Sequence, residues 1–281
     1  MHPILTSLIY IAVSCVMLFL ARVLFDKFSP FKVEEQVKEK NATALLAFAG
    51  YMLGIVCVFA GAFIGPEAGL FRVDLLLYIS YAIVGILLMT LSGYIADKIL
   101  LNKFDCKKEI LEDKNIGTAA VYFAVYLATG LIASACVTGE YGGVLSSIVY
   151  YILGIFFMVL FIKLYDVLTP YSIHEELEKD NYAVGIALGG NIIAMGLILM
   201  KATIGDAMTL TENIALYAVD LAAIFLLLPV VRFILCNFII RHVDINKEIK
   251  ENNVAAGVLE FASIVCFAII VFFMADFTVI L

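Results

Sequence analysis

Six stretches of this chain run without a single Asp, Glu, Lys or Arg for about the length an α-helix needs to cross a bilayer, roughly 20 residues. They are Ile4–Ala21, Ala42–Ile64, Leu75–Ala96, Ile116–Gly139, Tyr141–Ile162 and Tyr182–Met200. Two more, Asn213–Ile240 and Val254–Ala275, reach that length by including Asp220 and Arg232 in the first and Glu260 in the second. Lipid gives an unpaired backbone group no partner, so continuous apolar runs of this kind are read as helices, whereas the strands of a membrane barrel would alternate. The sequence predicts an all-α polytopic membrane protein with eight transmembrane helices. Composition agrees, with 64% hydrophobic residues, 15% charged and a mean hydropathy of +1.05.

The same composition excludes several functions. A net charge of −7 supplies no basic footprint for a phosphate backbone, so no nucleic-acid partner is expected. No Rossmann or P-loop glycine pattern is present, and the six cysteines (Cys15, Cys57, Cys106, Cys136, Cys236, Cys266) show no CxxC or Cys/His spacing. They are read as apolar filler, and no metal and no cofactor are expected. With no Ser/His/Asp arrangement and no sizeable extramembrane domain to host catalytic residues, the chain is not expected to be an enzyme.

Basic residues fix an orientation. The odd-numbered connections carry nearly all of them, including Lys27, Lys32, Lys38 and Lys40, then Lys98, Lys103, Lys107, Lys108 and Lys114, then Lys163 and Lys179, then Arg241, Lys247 and Lys250. The positive-inside rule places these loops in the cytoplasm and both termini outside, in a cytoplasmic (inner) membrane. The first run has no positive n-region, so it is expected to be retained as a structural helix.

Self-similarity organises the rest. Sliding the chain so that Asn41 meets Asn181 also brings Ser7 onto Ser147, Asp26 onto Asp166, Pro30 onto Pro170, Glu35 onto Glu175 and Gly50 onto Gly190. Two residues less of offset brings Asn115 onto Asn253. Two tandem four-helix repeats are expected, 1–140 and 141–281. Each holds an even number of spans, so the repeats are parallel, unlike the inverted repeats of many transporters. A finer repeat lies inside each half. The charged segments VEEQVKEKN, KKEILEDKN, HEELEKDN and NKEIKENN end in Asn41, Asn115, Asn181 and Asn253, with Val37, Leu111, Leu177 and Ile249 four positions earlier. Each reads as a short cytoplasmic amphipathic helix turning into the membrane at a capping asparagine.

The stretch Glu175-Glu176-Leu177 through Asn181, Ala183 and Gly185 to Gly189 and Gly190 resembles the YjfL-like bacterial membrane family, domain of unknown function 350. The first half carries a weaker copy in Glu34-Glu35, Asn41, Ala44 and Gly50. The resemblance implies a two-copy member in a bacterial or archaeal cytoplasmic membrane, and implies no reaction.

Ionisable residues inside a span cost about 2.5–3.5 kcal/mol on insertion scales and so are candidate functional groups. Arg232 and Glu260 each lie on the order of 11 Å from the cytoplasmic end of one helical hairpin. They could pair in the membrane, or Arg232, which aligns with Tyr94, could snorkel to the headgroups. Asp220 could take a proton or cation, or lie at the outer interface. Asn191, among Gly185, Gly189, Gly190 and Gly196, is expected near mid-membrane, bonding a neighbouring helix. His174, Glu175 and Glu176 form a candidate partner surface, with no second histidine nearby to suggest a metal. Two functional classes remain. A scaffold or sensor would use the charged connectors and glycine faces, through self-association or contact with other membrane proteins. A small ion or solute transporter or channel would need a polar path between the repeats.

Overall fold

The computed structural model describes residues 3–65, 67–96, 106–138, 143–204 and 243–274, with residues 219 and 222. Among them all regular structure is helical. Among the described residues, seven helices are long and apolar enough to cross a membrane. We label α1 (Pro3–Phe28), α3 (Ala42–Ile64), α4 (Phe71–Thr90), continued after a break by α5 (Ser92–Ile95), α7 (Ile116–Thr138), α8 (Gly143–Leu168), α10 (Tyr182–Thr203) and α12 (Val254–Met274). Four short helices precede the even-numbered spans: α2 (Val33–Lys38), α6 (Cys106–Leu111), α9 (Ile173–Glu178) and α11 (Ile245–Lys250). The expected span Asn213–Ile240, with Asp220 and Arg232, lies outside the described residues, so seven of the eight expected spans are described.

The third span is not the single rod its apolar run suggested. It breaks at Leu91, where Ser92 and Gly93 follow in sequence. A Ser/Gly pair is a common site of helix kinking. Here the Ser92 hydroxyl hydrogen-bonds that of Thr129 on α7 at 2.8 Å.

The helices sort into a row and a flank. The row is α3, α7, α10 and α12, each packed along the next, and α1, α4 and α8 lie against it. Small residues set the spacing, because in lipid helices gain most by bringing backbones close. A β-carbon placed on Gly54 of α3 would fall 2.6 Å from the carbonyl oxygen of Tyr126. One placed on Gly190 of α10 would fall 2.6 Å from Cα of Phe261. The flanking helices attach through side-chain donors to main-chain carbonyls: the Tyr51 hydroxyl donates to Ala21 O at 3.1 Å, Tyr151 to Leu88 O at 3.0 Å and Ser147 to Cys136 O at 2.7 Å.

Candidate functional site

The most regular chemistry in the molecule lies where the short helices meet the row. In α2, α9 and α11 the chain closes alike. The residue before each asparagine adopts a left-handed conformation (Lys40 φ 56°, Asp180 φ 59°, Asn252 φ 61°). The asparagine N–H then bonds back to Gln36 O, Glu176 O or Glu248 O, a Schellman closure. The same asparagine starts the next span. Asn41 Oδ1 accepts from Thr43 N and Ala44 N, and Asn181 Oδ1 from Val184 N. One residue thus ends one helix and begins another.

Its remaining amide hydrogens do two further jobs. One goes to a side chain of its own connector: Asn41 to Gln36 at 2.8 Å, Asn115 to Glu109 at 2.9 Å, Asn181 to Glu176 at 3.3 Å and Asn253 to Glu248 at 2.7 Å. The other crosses to the next unit. Asn41 Nδ2 donates to Ile110 O at 3.1 Å, Asn115 to Leu177 O at 2.7 Å, and Asn181 to Ile249 O and Lys250 O at 3.0 Å each. Only a side chain with both an acceptor and two donors on one short stem can do all of this. The four units are threaded into a ladder whose first three asparagines are buried and whose fourth, Asn253, is exposed.

Two expectations need correction. The second connector holds one extra residue, so Asn115 N reaches back to Glu109 O and its inward apolar residue is Ile110, buried like Leu177 and Ile249, not Leu111. Glu176 does not belong to a partner surface. It is 8% exposed, facing Asn181 inside the ladder, with Lys179 Nζ 3.0 Å from its carboxylate. Glu175 is exposed and His174 half-buried.

The ladder carries one titration signature. Burial pushes the Glu109 carboxyl above its usual range, the hydrogen bond from Asn115 pulls it down, and Asp113 and Asp180 push it up again. A raised acid binds its proton more readily in the folded state, so the charged form weighs against folding above the ordinary value of 4.5 and ceases to do so once both states are protonated. Gln36 makes the same bond without charge. Glu109→Gln is therefore expected to raise the melting temperature in detergent at pH 7. Solvent on its open side limits the gain to about 1 °C. The gain should shrink as the pH is lowered through the raised value and vanish below 4.5. Melts run across that range check it.

Inside the membrane zone the second half holds a polar cluster. Glu260 on α12 is 4% exposed; its Oε1 accepts from the Tyr165 hydroxyl at 2.9 Å and from Asn191 Nδ2 at 3.3 Å, and Asn191 also donates to Ala187 O at 2.9 Å. Asn191 and Glu260 are thus brought together, across α10 and α12. Arg232, the candidate partner of Glu260, lies outside the described residues, as does Asp220. At the repeat offsets the counterparts of Tyr165, Asn191 and Glu260 are Phe25, Tyr51 and Tyr122. Those three line a cavity of about 350 Å³, together with Met89, Tyr94 and Tyr126. The Phe25 and Tyr51 rings pack at a 46° tilt with centroids 4.8 Å apart. Equivalent places in the two halves therefore hold an aromatic pocket and a hydrogen-bonded carboxyl cluster. The sequence marked Glu260 and Asn191 by their polarity, but gave no signal for Tyr165, one of many tyrosines in apolar runs.

The comparisons agree with this two-part construction. A family model described as Domain of Unknown Function (DUF350) matches residues 1–137 and again 140–274. A UPF0719 transmembrane protein of Aquifex aeolicus (strain VF5) is 28% identical over 253 residues, 86% of this chain and 90% of that protein. The UPF0719 transmembrane protein YshE of Bacillus subtilis (strain 168) is 25% identical over 112 residues, 40% of this chain. Those residues make up 79% of YshE, which is thus about half as long as this chain. No solved structure matches significantly.

Proposed function

Because the chain belongs to the family described as Domain of Unknown Function (DUF350), in two tandem copies, we propose that it is a non-enzymatic membrane scaffold. In this reading the row of helices is a rigid platform that displays a series of charged connectors to protein partners in the cytoplasm, with both termini outside. One observation carries it: three buried hydrogen bonds of the asparagine ladder fix four successive connectors to one another, a constraint that lipid packing alone does not require. The polar groups within the spans support it. Ser92 with Thr129, Ser14 with Tyr78, and Tyr165 and Asn191 with Glu260 bond across helices, so they act as glue between neighbours.

The second reading, a small ion or solute transporter or channel, is favoured by Glu260, a carboxyl placed among apolar spans. One pair of variants separates the two. Charge reversal at the exposed Glu175 and Glu178 is expected to abolish capture of soluble partners from a lysate onto the membrane-embedded protein. Glu260→Gln keeps an acceptor for Tyr165 and Asn191, so it should leave both capture and melting temperature unchanged. A solute or proton flux in proteoliposomes that Glu260→Gln abolishes would favour transport and sink the scaffold reading.

A further inference from the structure

We propose that the chain assembles head to tail with further copies of itself, the open flank of α12 in one copy seating against the α1 and α3 flank of the next. This stands independently of the scaffold reading.

The three junctions inside the chain are built alike. At two, nine and thirteen residues past the asparagine, each helix turns small residues toward its successor: Thr43, Gly50 and Gly54 on α3; Gly117, Ala124 and Ala128 on α7; Ala183, Gly190 and Ala194 on α10. Gly50 and Gly54 meet the backbone of α7, Ala124 and Ala128 face Gly189 and Gly196, and Gly190 meets Phe261. On α12 the same positions are Ala255, Ala262 and Cys266, and all three are exposed. Lipid tails solvate a small side chain no better than a large one, whereas a helix backbone gains from it.

The opposite flank is the matching half. Ile110, Leu177 and Ile249, whose carbonyls receive the preceding asparagine, are 3%, 0% and 0% exposed, while Val37 at the same place in α2 is 57% exposed. The flanking helices repeat the pattern. Ser147 on α8 donates to Cys136 O on the preceding row helix, and Cys136 and Ile132 are 5% and 0% exposed. The counterpart of Ser147 is Ser7, exposed and bonded to its own Pro3 O. The counterparts of Cys136 and Ile132 are Met274 and Ile270, 79% and 51% exposed. α1 is accordingly the least buried of the described spans.

Each half of the junction is therefore present once without the other, at opposite ends of the row, and the two are complementary in shape and hydrogen bonding. Such a contact is heterologous, and Asn253 Nδ2 would reach the Val37 carbonyl of the neighbour as Asn181 reaches Ile249.

Val56 on α3, exposed, stands where Gly130 and Gly196 stand on α7 and α10, the positions that face Gly54 and Ala128. Cys266 is exposed and free. Val56→Cys in the full chain, oxidised in native membranes, is expected to give covalent dimers and larger species that disappear when Cys266→Ala is added. The unsubstituted protein in mild detergent should have the mass of more than one chain by light scattering. Three results overturn the proposal: a single-chain mass; no more crosslinking from Val56→Cys than from Leu145→Cys on the lipid-facing surface of α8; or a Cys266-dependent dimer of the unsubstituted protein, which would mean a symmetric α12 contact.

Discussion

Asn181→Ala is expected to destabilise the protein by about 2–4 kcal/mol, far more than the same change at Asn253. Losing the cap on α10 costs about 1 kcal/mol. Losing the donors leaves the buried Ile249 carbonyl and the half-buried Lys250 carbonyl of the next connector with one partner fewer each, at a further cost of about 1–3 kcal/mol. Asn253 also caps its helix, through Ala255 N, but it is exposed and its amide goes to its own Glu248. Asn253→Ala should therefore cost about the cap alone, 0.5–1 kcal/mol. Unfolding midpoints in one detergent, dilute enough that copies are separate, make the comparison. Asn181→Asp keeps the acceptor for Val184 N and loses both donors, so it should melt no higher than Asn181→Ala. If Asp restores most of the loss, capping explains the asparagine and the ladder does not.

How far the sequence foretold this depends on what each feature answers to. The spans were legible because bilayer thickness imposes their length on any apolar run. The asparagines were legible as caps, since a charged amphipathic turn before an apolar run needs a residue that ends one helix and starts another. What they bind beyond their own unit was not legible, because it depends on α3, α7, α10 and α12 lying side by side, and glycine spacing marks a face without naming its partner. Local register failed for a smaller reason. Counting back from Asn115 gave Leu111, since the extra residue in that connector is visible only once Asn115 N is seen bonding Glu109 O. Glu176 looked like a surface residue because a six-residue helix offers too few turns to define its buried side, and the need of Asn181 for an acceptor turned it inward. Glu260 was marked by its charge, but that Asn191 and Tyr165 bond it follows only from α12 packing against α10 and could not be read along the chain.

The same packing ranks glycines that the sequence treats alike. Gly130→Ala is expected to destabilise the row strongly, and Gly189→Ala hardly at all or slightly the other way. Both sit within spans on faces of small residues, and in both helices alanine is intrinsically favoured over glycine by about 1 kcal/mol. The difference lies in what a β-carbon would meet. On Gly130 it would fall 2.7 Å from the carbonyl oxygen and 2.8 Å from the carbonyl carbon of Gly54, main-chain atoms that move only if α3 and α7 part along their length. On Gly189 it would meet Ala120 O at 3.3 Å and the Ala124 β-carbon at 3.4 Å, contacts that relax with shifts of tenths of an ångström. Overpacking against yielding side chains typically costs about 1–3 kcal/mol. Against a backbone on a central helix the upper end of that range is expected for Gly130→Ala, after the propensity gain is included. For Gly189→Ala the strain and the gain nearly cancel. Folded yield after detergent extraction and the melting midpoint should both separate the variants. Equal behaviour would mean that α3 and α7 do not approach at Gly54 and Gly130, and with that contact gone the row would have no reason to keep the spacing on which the ladder of asparagines depends.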